Sequence, residues 1–121
     1  MEEQRRFVRL ETRVDVAYTV LPSGTSQRTV TKDLSGGGVR FFTETPLAPG
    51  TQLQMALALP GREQPVNALA QVVWSEQHEL VGKADRQRSA ENGAKFVEIA
   101  PADQEALTQF ISSRLKIGDG R

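Results

Sequence analysis

From Val14 onward, apolar side chains recur at every second residue in short runs, several of which end at turns that contain proline or glycine. A period of two marks a strand with one buried face, so the chain cannot be mainly helical. Val14, Val16, Tyr18 and Val20 alternate with Asp15, Ala17 and Thr19, and Pro22-Ser23-Gly24 supplies a turn. A second strand is predicted from about Arg28 to Leu34, with Val30 and Leu34 among its apolar positions. Ser35-Gly36-Gly37-Gly38 interrupts it, and Val39-Arg40-Phe41-Phe42 resumes in extended form. After the turn Leu47-Ala48-Pro49-Gly50, Leu53, Met55, Leu57 and Leu59 share one face, and Pro60-Gly61 closes that strand. Val66, Ala68, Ala70, Val72 and Trp74 repeat the period.

The stretch from Gln77 to Gly93 is polar and weakly patterned, which predicts a long exposed hairpin loop. Gly93-Ala94-Lys95-Phe96-Val97-Glu98-Ile99 returns as a last strand. Pro101 then stands at a first helical position, with Asp103 and Glu105 in the first turn. Leu107, Phe110, Ile111 and Leu115 form one apolar stripe at spacings of three and four, and Gly118 and Gly120 end the helix. The fold class is therefore all-β with one C-terminal helix: an arm, five or six short strands, and a helix. Short antiparallel strands with frequent turns favour a closed barrel, which removes exposed sheet edges. The helix stripe would cover one opening or side of it.

Composition narrows the function. A chain of 121 residues suits one domain, divided here into a flexible arginine-rich arm (1–12) and a barrel with its helix (13–117). With no cysteine and one histidine, His78, there is no material for a disulfide, a thiolate metal site or a histidine-based triad. Fifteen basic and fifteen acidic side chains cancel, and aromatic residues are few, which argues against a nucleic-acid partner. No apolar run reaches membrane-spanning length, and the charged N-terminus is unlike a signal peptide. A cytoplasmic location is the expectation.

Two segments stand out together: Arg5-Arg6-Phe7-Val8-Arg9, and Asp33-Leu34-Ser35-Gly36-Gly37-Gly38. Here the chain closely resembles the PilZ domain family, whose hallmarks are an Arg-x-x-x-Arg segment and a downstream Asp/Asn-x-Ser-x-x-Gly segment. Arg5 and Arg9 match the first, and Asp33, Ser35 and Gly38 the second. Arg9 and Arg13 share the arginine spacing, but Arg13 abuts the first strand, so Arg5 and Arg9 are preferred. Val72-Val73-Trp74 and Gly93-Ala94-Lys95-Phe96 resemble later strands of the family, so nearly the whole sequence is covered. The resemblance implies a stand-alone, six-stranded antiparallel β-barrel that binds cyclic di-GMP and needs no cofactor or metal.

The chemistry agrees with that implication. Arginine forms bidentate hydrogen bonds to phosphate, stacks on bases, and pairs with guanine O6 and N7. In the division of labour that the resemblance implies, Arg5 and Arg9 wrap the ligand and Asp33 accepts from guanine N1–H and N2–H. Ser35 bonds ligand or backbone, and Gly38 lets the main chain approach closely. Arg6, Gly37 and Arg40 are secondary candidates. Each residue also has a plainer reading. The arm can be a solvated tail, Asp33 and Ser35 can simply build a turn, and Arg40 can be an exposed strand arginine. Trp74 reads as core, because it continues the apolar face of its strand; Phe41 and Phe42 read as barrel residues, and Phe7 as packing for the arm. His78, in polar surroundings, needs no role. Asp33 and Ser35 lack the histidine or lysine that activates a serine, and no phosphate-binding GxxxxGK[ST] loop is present, so no catalytic residues are assigned.

The expected mechanism is ordering of the arm on ligand binding, which creates or hides a surface for a downstream protein partner. Gln4, before the first motif arginine, favours one ligand over a stacked pair. The alternative within the family is a protein-interaction module of a pilus or motility system that binds no nucleotide. Members of that kind usually lack both motifs.

Overall fold

The alternating runs become strands whose apolar faces meet in one core. The computed structural model describes residues 8–22, 24–79 and 88–118. In chain order the elements are β1 (Leu10–Glu11), β2 (Asp15–Val20), β3 (Ser26–Ser35), β4 (Gly38–Thr43), β5 (Gln52–Ala58), β6 (Val66–Glu79), β7 (Arg88–Ile99) and α1 (Pro101–Gly118). All strand pairs are antiparallel. The order β3-β2-β5-β6-β7-β4 closes on itself through β3–β4, giving the expected six-stranded barrel. β1 lies outside the ring as a short addition to β3.

The residues that set the sequence periods fill the interior: Val16, Tyr18, Leu34, Phe41, Leu53, Met55, Leu57, Val66 and Val72 are all buried. Tyr18 and Phe41 meet at a ring separation of 5.6 Å. α1 starts at Pro101 as expected, and its Leu107 and Ile111 join the same core. Gly50 and Gly61 both follow a proline and hold positive φ, at 93° and 85°. Those are the positions where a tight turn needs a residue without a side chain.

One expectation fails. Residues 77–93 do not form one long loop: β6 runs on to Glu79 and β7 starts at Arg88, with Gln77 paired to Ala90 and Ser75 to Asn92. The connecting residues 80–87 lie outside the described part. The cause is polar burial. Ala90, Glu91 and Asn92 are all buried although only one of them is apolar, so the inward face carries no hydrophobic signature.

Strand irregularities decide which side chains reach the outer face. Between β3 and β4, Thr31 pairs with Phe41 but Asp33 pairs with Arg40, so Lys32 is an extra residue. Between β6 and β7, Val72 pairs with Ala94 but Trp74 with Gly93, which makes Val73 extra. A bulge shifts the phase of everything beyond it. Trp74, expected in the core, therefore leaves the interior and is only half-buried, while Ser75 turns inward to Asn92.

Candidate functional site

The first motif is brought to the second by a backbone fastening. Thr31, fully buried on β3, accepts a hydrogen bond from the Val14 amide at 2.9 Å and donates to the Thr12 carbonyl at 2.6 Å. Just upstream, Leu10 pairs with Leu34 and Glu11 with Asp33. The half-buried Leu10 packs against the core. These contacts hold Arg9 over the end of β3.

There Arg9 Nη1 donates to Asp33 Oδ1 at 2.6 Å. On the other side Arg40 Nη2 lies 2.7 Å from Asp33 Oδ2. The Asp33 side chain is wholly buried, whereas those of Arg9 and Arg40 keep 48% and 32% of their surface exposed. Burying a carboxylate is expensive unless it is paired. Arg9 hydrogen-bonds Oδ1, while Arg40 meets Oδ2 as an ion pair only, which leaves the buried Asp33 Oδ2 and Arg40 Nε without a hydrogen bond among the described residues. The Arg40 pKa is raised, by its pairing with Asp33 first, with Asp33, Glu91 and Glu11 adding negative potential against the effect of burial. The charges continue outward: Glu91 sits 3.3 Å from Lys32 and 3.9 Å from Arg40.

Ser35 closes β3. Its hydroxyl accepts from the Gly37 and Gly38 amides, both at 3.1 Å, so it ties the turn into β4. The carbonyls of that turn are also engaged: Gly37 accepts from the Phe96 amide at 2.9 Å, and Gly36 from Gln104 of α1 at 3.2 Å. Gly38 must be glycine for the barrel itself, since a Cβ there would stand 2.4 Å from the Ala94 carbonyl oxygen.

Arg9, Ser35, Gly37, Gly38 and Arg40 line one cleft of about 540 Å³, with Asp33 buried beneath the two arginines. The motif residues that the structure describes thus converge. Arg5 and Arg6 lie outside the described residues. Sequence reasoning missed the other side of the cleft: Val73, Trp74, Gly93, Ala94 and Lys95, from β6 and β7. A signal for it was present. Val72-Val73-Trp74 puts three bulky residues in a row, which a strict period of two does not allow. Gly93 has a related cause, for a Cβ there would lie 2.3 Å from Trp74 Nε1. The indole covers the glycine.

The cleft lies on the outer face of a six-stranded barrel, and the described residues of the two motifs line it or lie beneath it. A family model for the PilZ domain matches residues 3–113. The chain belongs to the PilZ domain family. Among solved structures, it is similar to the PilZ domain of YcgR from Escherichia coli with c-di-GMP, at 20% identity and a TM-score of 0.69, over 96% of this chain and 94% of that one. It also resembles the Bacillus subtilis inhibitor of motility MotI/DgrA, at 24% identity and a TM-score of 0.68, over 93% and 52% of the two chains. A third similar structure is the K. pneumonia MrkH–c-di-GMP complex, at 16% identity and a TM-score of 0.68, over 97% and 53%. The chain spans about half the length of MotI/DgrA and of MrkH. No curated protein matches it in sequence. At these identities the likeness establishes the PilZ fold. Among the described residues of this PilZ domain, no helix is long and apolar enough to cross a membrane.

Proposed function

We propose that this PilZ domain is a cyclic di-GMP effector that binds the dinucleotide in the cleft between its arm and the β3–β4 turn. The observation that carries the proposal is the meeting of Arg9, Asp33, Ser35 and Gly38 at one place, from segments more than twenty residues apart. The ligand's identity is supported by the YcgR and MrkH structures, both of which hold c-di-GMP.

The ion pair at Asp33 suggests how binding proceeds. A guanidinium offers a carboxylate paired N–H donors, and so does the N1–H and N2–H edge of guanine. Arg9 holds Oδ1 of Asp33 and Arg40 stands at Oδ2, so the two arginines together occupy the edge that a guanine would take. On binding, the base takes over Asp33, and Arg9 turns to a phosphate or to a base face. Arg5 closes from the arm on the same ligand. The arm is ordered by this exchange, and the altered surface is read by a protein partner. Binding and relay are the whole task, with no bond made or broken.

Isothermal titration of the intact chain with cyclic di-GMP tests this reading. Saturable binding of one ligand per chain is expected, together with its loss in the Arg5→Ala/Arg9→Ala double variant. No heat up to ~100 μM ligand, a concentration that would reveal even a weak complex, overturns it. Wild-type affinity in the double variant overturns the proposed site, and two ligands per chain overturns the stoichiometry.

A further inference from the structure

The cleft contains three cations among its described lining residues, and they are not equivalent. Arg9 and Arg40 are both ion-paired to Asp33. Lys95 of β7 is exposed and makes no hydrogen bond or ion pair among the described residues. No carboxylate is among the described residues that line the cleft, because Asp33 lies beneath its surface. Lys95 is also the ladder partner of Gly38, the last glycine of the second motif, and stands two residues from Gly93. Both glycines belong to the cleft wall, so around Lys95 that wall is largely main chain.

We propose that Lys95 is a ligand-binding residue of this cleft, supplying a phosphate-directed cation from the β6–β7 side. The proposal rests on the cyclic di-GMP reading above and adds to it a residue outside both motifs. The ligand carries two phosphates, and a cation on the β6–β7 side adds to the arginines that reach it from the arm and from β4. An ammonium group is a mobile point charge with three donors, suited to a phosphate oxygen whose position the protein does not fix rigidly. Among the described residues Lys95 has no competing anion to release first, whereas Arg9 and Arg40 must exchange their carboxylate. Its contribution is therefore a charge term that depends on salt, distinct from the shape term set by the turn.

The experiment is titration of cyclic di-GMP into wild type, Lys95→Gln and Lys95→Arg at low, medium and high salt, with a thermal melt of each protein. Lys95→Gln is expected to bind about 5- to 10-fold more weakly at low salt, the scale of one solvent-exposed hydrogen bond, with a shallower salt dependence. Lys95→Arg is expected to restore most of the affinity, and all three proteins should melt together. Unchanged affinity and salt dependence in Lys95→Gln overturns the role of Lys95. So does an arginine variant as weak as the glutamine one, or a loss of affinity matched by a lower melting temperature. If wild type itself does not bind, the function proposed above falls and the role of Lys95 falls with it.

Discussion

Asp33 and Asn92 are both polar side chains with no exposed surface, and they are accommodated by opposite means. Asn92 is surrounded by short neutral groups fixed in the barrel. Its Nδ2 donates to Thr43 Oγ1 at 2.9 Å and to the Phe41 carbonyl at 3.5 Å. Its Oδ1 accepts from Ser75 Oγ at 2.6 Å and from the Leu47 amide at 3.4 Å. Both donors and both acceptor positions of the amide are filled, by two short hydroxyls and two main-chain groups. Asp33 is held by two long cationic side chains that reach solvent, one of them on the residue that precedes a two-residue strand. A buried polar group with fixed neutral partners belongs to the fold. A buried carboxylate with partners that can swing away can change partner, and that ability is what a binding site needs.

The difference is sharpest for Asp33→Ala. Losing an acceptor for two guanine hydrogen bonds is expected to weaken cyclic di-GMP binding about a hundredfold, or ~3 kcal/mol. Stability should fall by only about 1 kcal/mol, because the half-exposed arginines can hydrate once the carboxylate is gone. Titration and urea unfolding of the one variant measure both. A large stability loss with little change in affinity would place Asp33 with Asn92, as a residue of the fold.

Asn92→Ala should show the converse. It strands four hydrogen-bonding groups inside the barrel and leaves a small cavity, which is expected to cost about 2–3 kcal/mol of stability. The protein that remains folded should bind cyclic di-GMP within about twofold of wild type, since Asn92 points away from the cleft. Urea unfolding followed by titration below the transition checks this. A variant as stable as wild type would mean that water or neighbouring groups satisfy the stranded partners.

The same contrast explains how much could be read in the sequence. β2, β5 and the start of β6 were legible because their inward positions are apolar and their outward ones mostly polar or small. α1 was legible through Pro101 and the stripe at Leu107 and Ile111. The two motifs were legible because their residue types and spacing are distinctive, but the direct Arg9–Asp33 ion pair was not, because the expectation joined the two segments through the ligand. Residues 77–93 were misread because Asn92 fills an inward position with an amide, and no periodicity of apolar residues registers a satisfied polar one. β1 is only two residues long, and Thr31, whose hydroxyl fastens it, looks like any strand threonine. The β6–β7 side of the cleft was hidden by a single extra residue, Val73. That residue moves Trp74 from the core, where the alternation placed it, to the outer face.

Gly93 provides the smallest test, and it lies next to Asn92 on the same strand with the opposite orientation. A Cβ at this position would meet Trp74 at Nε1, Cε2 and Cζ2, at 2.3, 2.5 and 2.9 Å. Something must shift in Gly93→Ala, and the half-buried indole, open to the cleft, gives way more easily than the strands do. The cost in stability is therefore expected at the low end for overpacking, about 1 kcal/mol, below that of Asn92→Ala. The displaced ring lies across the cleft, so binding should weaken as well, though less than in Asp33→Ala. Because Trp74 is the only tryptophan in the chain, its fluorescence reports the displacement directly, and a shift of the emission to longer wavelength is expected as the indole meets more water. An unchanged emission spectrum with unchanged affinity would show that the ring does not rest on Gly93, and the β6–β7 side of the cleft would lose its aromatic wall.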